Sequence, residues 1–168
     1  MQQINLDNIL LITFDINNKL HNELIDEFKS NSKSDFISSI DNRLKLNKNL
    51  KSFPFDTGFV VATNDSKLLG YLFISSIRND EIFLEYSILK DKRGMGYGSL
   101  LLNKVTDYLF SNYNIKNIAL DIDVSNLASI KTAISAYYTE DEYLDNDRII
   151  YRNYNINYVD KRRNKNIR

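Results

Sequence analysis

Between Ile88 and Leu102 the chain reads I-L-K-D-K-R-G-M-G-Y-G-S-L-L-L, and no other stretch constrains the fold as much. An extended apolar run from Ile82 to Leu89 enters a charged bend at Lys90-Asp91-Lys92-Arg93. Gly94, Gly96 and Gly98 follow, and then a helix carries Leu101, Leu102, Val105, Tyr108 and Leu109 on one stripe. Glycine has no Cβ, so its backbone adopts positive φ and approaches a ligand at little steric cost. The first amides of a helix lack intrahelical partners and sit at the positive end of its dipole. A strand that passes through glycines into a helix is therefore a site for an anion, most often a phosphate. The bland alternative is a tight loop with no ligand, but three glycines at a helix entrance cost stability with no return. A dinucleotide site wants G-x-G-x-x-G and an acid about 20 residues further on. Here the spacing is G-x-G-x-G, and it follows a meander.

The meander is read from turn chemistry. Thr57 to Thr63 is β-branched and aromatic, Asn64-Asp65-Ser66 supplies a turn, and Leu68 to Ile77 is a long second strand. Arg78-Asn79-Asp80 turns the chain into Ile82 to Leu89. Earlier, Ile9 to Phe14 reads as a strand. Leu20, Leu24 and Phe28 then space one helix, and Phe36, Ile37, Ile40 and Leu44 a second, capped by Ser34 or Asp35. The chain's single proline, Pro54, breaks the pattern. After the glycine helix come a strand over 115–124 and a helix behind Asn126, with Leu127, Ile130, Ile134 and Tyr137 on one face. The acidic stretch 140–147 reads as a solvated loop, irregular from Tyr143, and Ile149 to Ile156 as a final strand. The order β-α-α-β-β-β-α-β-α-β predicts an α/β (α+β) sandwich: a mixed, mostly antiparallel sheet with helices on both faces.

Composition excludes several classes. With 168 residues, 43% hydrophobic and 26% charged, the chain suits one domain over 1–168. A formal net charge of zero argues against a nucleic-acid binder. The basic run about 157–168 reads as a solvated tail, or else as an electrostatic anchor on an anionic substrate. No cysteine is present, which removes thiolate chemistry and fits a reducing cytoplasm. No metal site is expected. The start lacks a signal-peptide pattern, and no apolar run approaches the roughly 18 residues that span a membrane. His21, early on the first helix, reads as a surface histidine.

Element order and glycine loop together resemble the GNAT superfamily of acetyl-CoA-dependent N-acetyltransferases, over about residues 3–156. That family's phosphate loop is Gln/Arg-x-x-Gly-x-Gly/Ala, matched here by Arg93-Gly94-Met95-Gly96-Tyr97-Gly98. Its next motif starts with an asparagine, and Asn126-Leu127-Ala128-Ser129 has the form typical of the RimJ/RimL-like branch, which acetylates protein N-termini and small amines. Two positions depart from the pattern. Tyr137-Tyr138 stands where members usually carry Gly-Phe, and Ala133 stands where many carry a proton-donating tyrosine.

The resemblance implies a cosubstrate, acetyl-CoA, and a set of residues to hold it. Amides of Gly94, Met95, Gly96, Tyr97, Gly98 and Ser99 would take the pyrophosphate, with Arg93 adding a charged contact. Backbone groups of Ile88 and Lys90 would pair with the pantetheine arm. The N–H of Ile88 or Leu89 would polarise the thioester, and Asn126 would meet the pantetheine end where two strands splay. Glu85 is the first choice of base, with Glu81 second, and Ser129 stands in as proton donor. Both residues also have structural readings, Glu85 as a cross-strand partner and Ser129 as part of a helix cap. The acceptor would be a primary amine, bound beneath the first two helices and beside the loop before the last strand. With no cysteine and one histidine, a covalent acetyl-enzyme has few candidates, and direct transfer in a ternary complex is the natural reading. A catalytically degenerate acyl-CoA sensor is the alternative function, and a homodimer is possible in either case.

Overall fold

The computed structural model describes residues 3–13, 15, 17–19, 21, 58–145 and 147–160. One eight-stranded sheet runs in the order β1-β2-β3-β4-β5-β6-β8-β7. The first five, β1 (Gln3–Leu6), β2 (Ile9–Thr13), β3 (Gly58–Thr63), β4 (Leu68–Arg78) and β5 (Glu81–Ile88), are successive antiparallel neighbours. β6 (Asn117–Asp123) then lies parallel to β5, while β8 (Arg148–Tyr154) is antiparallel to both β6 and β7 (Thr139–Asp145). A hairpin cannot join parallel strands. The crossover is α1 (Tyr97–Asn112), and α2 (Leu127–Ser135) leads from β6 to β7. The sheet is thus mixed and mostly antiparallel, as the element order predicts. Apart from His21, the helices expected over 20–28 and 36–44, the Ser34 or Asp35 cap and Pro54 lie outside the described residues, as does the basic run from 161 onward.

Strand alternation builds the core. β5 turns Ile82, Leu84 and Ile88 to one side, where they join Leu101, Leu102, Val105 and Leu109 from the expected stripe of α1. Burying each such side chain contributes about 1.5–3 kcal/mol. Ile118, Leu120 and Ile122 of β6 continue the same cluster.

Four local expectations are corrected. The chain before Ile9 forms β1, folded onto β2 around Asp7, whose φ of 62° a short polar side chain tolerates. The acidic stretch is β7, not a loop: Arg152 of β8 draws Asp141 to 2.7 Å and Glu142 to 3.2 Å. Pairing to a cation is what lets an acid-rich segment join a sheet edge, where charge also discourages further strand pairing. Of the apolar stripe read on α2, Ile130 packs against the core, whereas Leu127, Ile134 and Tyr137 are 63%, 57% and 79% exposed. Ala133 and Ala136 are the buried contacts there, because small residues let the helix approach α1 closely. His21 is buried, not superficial, and its Nδ1 accepts from the Asp15 amide at 3.0 Å. Burial holds its pKa below the usual histidine value, an effect the Asp15 charge partly opposes.

Tyr137-Tyr138 also has a backbone explanation. Tyr137 has φ 63°, its N–H reaches the Ile134 carbonyl at 3.1 Å, and the Tyr138 N–H reaches Ala133 at 3.0 Å. This is a Schellman termination, which glycine usually supplies. The Tyr138 ring is 2% exposed, and its hydroxyl shares a hydrogen bond of 2.7 Å with that of Thr106.

Candidate functional site

Where β5 hands over to α1, Gly94 and Gly96 take φ of +75° and +80°. A Cβ on either would meet nothing within 4 Å, so these residues set the backbone and leave open space in front of it. Gly96 is the N-cap of α1, and the first intrahelical bond runs from the Leu100 amide to its carbonyl at 3.0 Å. Among the described residues no side chain caps the helix, and its first turn holds no acid. The positive pole is left open to an external anion. Gly98 serves a different purpose. A Cβ there would lie 2.9 Å from Thr132 Cγ2 and 3.5 Å from Tyr86 Cε2, so this glycine brings α1, α2 and β5 together.

A cleft of about 560 Å³ opens over this turn. Of the residues singled out in the sequence, Ile88, Arg93, Gly94, Gly96, Tyr97, Gly98, Ser99, Asn126 and Ser129 line it. Leu89, Lys90 and Met95 do not, and the Met95 side chain is 64% exposed. Lys92 and Lys131 also line it, adding two cations to Arg93. The Arg93 Nε donates to the Ile88 carbonyl at 2.8 Å, which ties the loop back to the strand end.

The cleft leads into a gap in the sheet. β5 and β6 pair only from Glu81 with Asn117 to Phe83 with Ala119, whereas β5 stays paired with β4 as far as Ile88. Beyond Phe83 the facing edge of β5 therefore has no strand partner among the described residues. The Leu89 N–H donates to Leu69 on β4 at 2.8 Å, so it is spent. Alternation along an antiparallel ladder then turns the amides of Tyr86 and Ile88 toward the gap. Of the two donors the sequence left open, Ile88 is the one so directed. Gly70 permits the tight β4–β5 approach here, since a Cβ on it would fall 1.9 Å from the Ser87 carbonyl oxygen.

A second cavity, about 370 Å³, lies across the gap and is lined by Glu85, Asp121, Asp123 and Arg148. Ser75, the extra residue of a bulge in β4, also lines it, and its hydroxyl donates to the Phe83 carbonyl at 3.2 Å. Arg148 Nε contacts Asp121 at 2.7 Å. Asp123 accepts from the hydroxyl and amide of Ser125 at 2.6 and 2.8 Å, and these bonds hold its carboxyl below the usual range. Glu81, the second choice of base, is elsewhere: Arg152 Nε holds it at 2.7 Å.

Tyr86, Asn126 and Ser129 line both cavities and so form their common wall. Asn126 caps α2, its side-chain oxygen accepting from the Ser129 amide at 3.1 Å, which leaves its amide nitrogen as the available donor. Ser129 is half-buried beside it. Ala133 is fully buried in the core, so the position where the resemblance expects a tyrosine does not face the cleft. Sequence reading missed Tyr86, Lys92, Lys131 and Thr132 as cleft residues. Strand alternation from Ile88 would have found Tyr86; the others depend on how α2 and the charged bend approach.

Comparison with known proteins agrees with this geometry. The description "Acetyltransferase (GNAT) family" matches residues 18–133. An uncharacterised N-acetyltransferase of Methanocaldococcus jannaschii is 32% identical over 69 residues, covering 41% of this chain and 44% of the relative, less than half its length. The ribosomal-protein-S5-alanine acetyltransferase of Vibrio fischeri has the same fold, with a TM-score of 0.70 at 17% identity over 95% of this chain and 100% of that one. So does Campylobacter jejuni N-acetyltransferase PseH in complex with acetyl coenzyme A, with a TM-score of 0.64 at 19% identity over 87% and 98%. With its glycine turn, splayed strands and matched residues 18–133, the chain belongs to the acetyltransferase (GNAT) family.

Proposed function

We propose that this protein is an N-acetyltransferase that moves an acetyl group from acetyl-CoA to a primary amine by direct attack in a ternary complex. One observation carries the reading: an uncapped helix start with two left-handed glycines opens on a cleft that leads into the gap between β5 and β6. The fit to a polyanionic cosubstrate rests on that cradle and on Lys92, Arg93 and Lys131 around it. Acetyl-CoA supplies the activated acetyl group. Amides from Gly94 to Ser99 hold its phosphates. The free edge of β5 pairs with its pantetheine arm, and the Ile88 N–H polarises the thioester carbonyl. Asn126 contributes its amide nitrogen at the end of the arm.

The amine must arrive neutral and close to the carbonyl carbon. Glu85, in the second cavity, takes its proton directly or through water. Among the described residues, two further carboxylates, Asp121 and Asp123, line that cavity with one cation, Arg148. That balance favours an amine carried on a cationic group, such as a protein N-terminus or a small polyamine. The fold shared with an enzyme named for alanine of ribosomal protein S5 supports the first of these. Holding both reactants in one cleft supplies much of the rate.

Calorimetric titration with acetyl-CoA and with CoA tests the cradle, and thiol release over a panel of peptides and polyamines tests transfer. Micromolar binding and amine-dependent thiol release are expected. No binding at millimolar acetyl-CoA would overturn the proposal.

A further inference from the structure

The common wall of the two cavities holds one group that the proposed transfer has not used. Tyr86 sits on β5 two residues before Ile88, its ring against Gly98 at the start of α1. Among the described residues its buried hydroxyl oxygen has no hydrogen bond of good geometry, only weaker interactions with the Thr132 and Ser129 side chains, which is rare for a native polar atom. Thr132 and Ser129 lie beside it. Leaving a buried donor unpaired costs free energy unless something arrives to use it.

Building on the acetyl transfer proposed above, we propose that Tyr86 is the proton donor to the thiolate that leaves when the acetyl group is transferred. The neighbouring hydroxyls are less suited. Thr132 Oγ1 already donates to the Ala128 carbonyl at 2.8 Å, and Ser99 Oγ to the Gly96 carbonyl at 3.0 Å, at the phosphate end of the cleft. The Tyr138 hydroxyl is tied to Thr106 within the core. Ser129 touches both cavities, but an aliphatic hydroxyl is a far weaker acid than a phenol and suits a relay better than a source. A phenol near 10 and a thiol near 8.5 are close enough for proton transfer as sulfur departs. Burial raises the Tyr86 pKa, which keeps its proton in place at neutral pH.

The step balances. The amine nitrogen bonds to the carbonyl carbon, the C–S bond breaks with its electron pair on sulfur, and the phenolic proton passes to sulfur to give the free thiol. The surplus proton on nitrogen leaves through Glu85 to solvent, and solvent restores the phenol. One proton moves in net from nitrogen to sulfur. Tyr86 thus fills from β5 the role that a tyrosine on the helix after Asn126 fills in related sequences, where this chain has Ala133.

Tyr86→Phe removes only the hydroxyl. Thiol release from acetyl-CoA, with the best amine of the panel and with water as acceptor, should fall at least a hundredfold in kcat. Calorimetric affinity for acetyl-CoA should stay within twofold, and the alkaline fall of kcat expected of the wild type should vanish. Ser129→Ala should keep that alkaline limb. If Tyr86→Phe does not fold, difluorotyrosine at position 86 preserves the shape and should move the alkaline limb to lower pH. The inference is overturned by a Phe variant within twofold of wild-type kcat, by a limb that disappears in Ser129→Ala instead, or by a limb unmoved by difluorotyrosine. A wild type that binds acetyl-CoA and releases no thiol would overturn it as well. A wild type that does not bind acetyl-CoA refutes the cradle itself, a separate failure.

Discussion

Gly96→Ala separates the two things a glycine can do at this turn. At φ +80° an L-residue pays about 1–2 kcal/mol for the left-handed conformation. No further cost arises in the free protein, because a Cβ at this position meets nothing within 4 Å. For a chain of this size, 1 kcal/mol lowers Tm by about 2–4 °C, so a drop of about 2–8 °C is expected. Binding should suffer more. The open space that spares the free protein a clash is the space proposed for phosphate, and a methyl group there holds the anion off the amides. A hydrogen bond to a charged group contributes about 1.5–3 kcal/mol, so losing one or two costs about 1.5–6 kcal/mol, or roughly 10- to 20,000-fold in Kd. Thermal unfolding and calorimetric titration with acetyl-CoA measure the two effects on one sample. A variant with the lowered Tm and unchanged acetyl-CoA affinity would refute the cradle and leave a loop that is merely tight.

Other substitutions probe neighbouring parts of the argument. Gly70→Ala places a carbon 1.9 Å from the Ser87 carbonyl oxygen, a backbone atom that cannot swing aside. It should cost about 3 kcal/mol or more, read as a urea midpoint shift; a neutral effect would mean β4 and β5 separate freely. Tyr137→Gly relieves a left-handed residue at the end of α2 and should stabilise the chain by about 1 kcal/mol. An unchanged or lower Tm would show that the exposed ring contributes more than the strain costs. Glu85→Gln should lower kcat by about 100-fold with little change in acetyl-CoA affinity. A rate close to wild type would remove Glu85 as the base and leave proximity and water to do its work.

The sequence determined the parts that local chemistry controls. Glycines at 94 and 96 between an apolar strand and an apolar helix stripe have few uses besides a backbone turn facing an anion, and that turn stands where it was read. The meander followed from turn residues at Asn64-Asp65-Ser66 and Arg78-Asn79-Asp80, and the stripe of α1 from its spacing. Tertiary structure decided what depends on a partner distant in sequence. Leu127, Ile134 and Tyr137 have helical periodicity, yet periodicity records that a helix has two faces and not which face meets the core; two alanines settled that. The acidic run became β7 because Arg152, about ten residues later in a facing strand, offsets its charge. The Leu89 N–H is spent on Leu69 through a register that only strand pairing sets. Tyr86 looks like one aromatic among several in a strand. Its hydroxyl gains a role only where β5 and β6 part, Gly98 admits its ring and α2 sets Ser129 and Thr132 beside it. Residue type gives a group its chemistry, whereas its solvent exclusion and its neighbours come from packing between segments far apart in the chain.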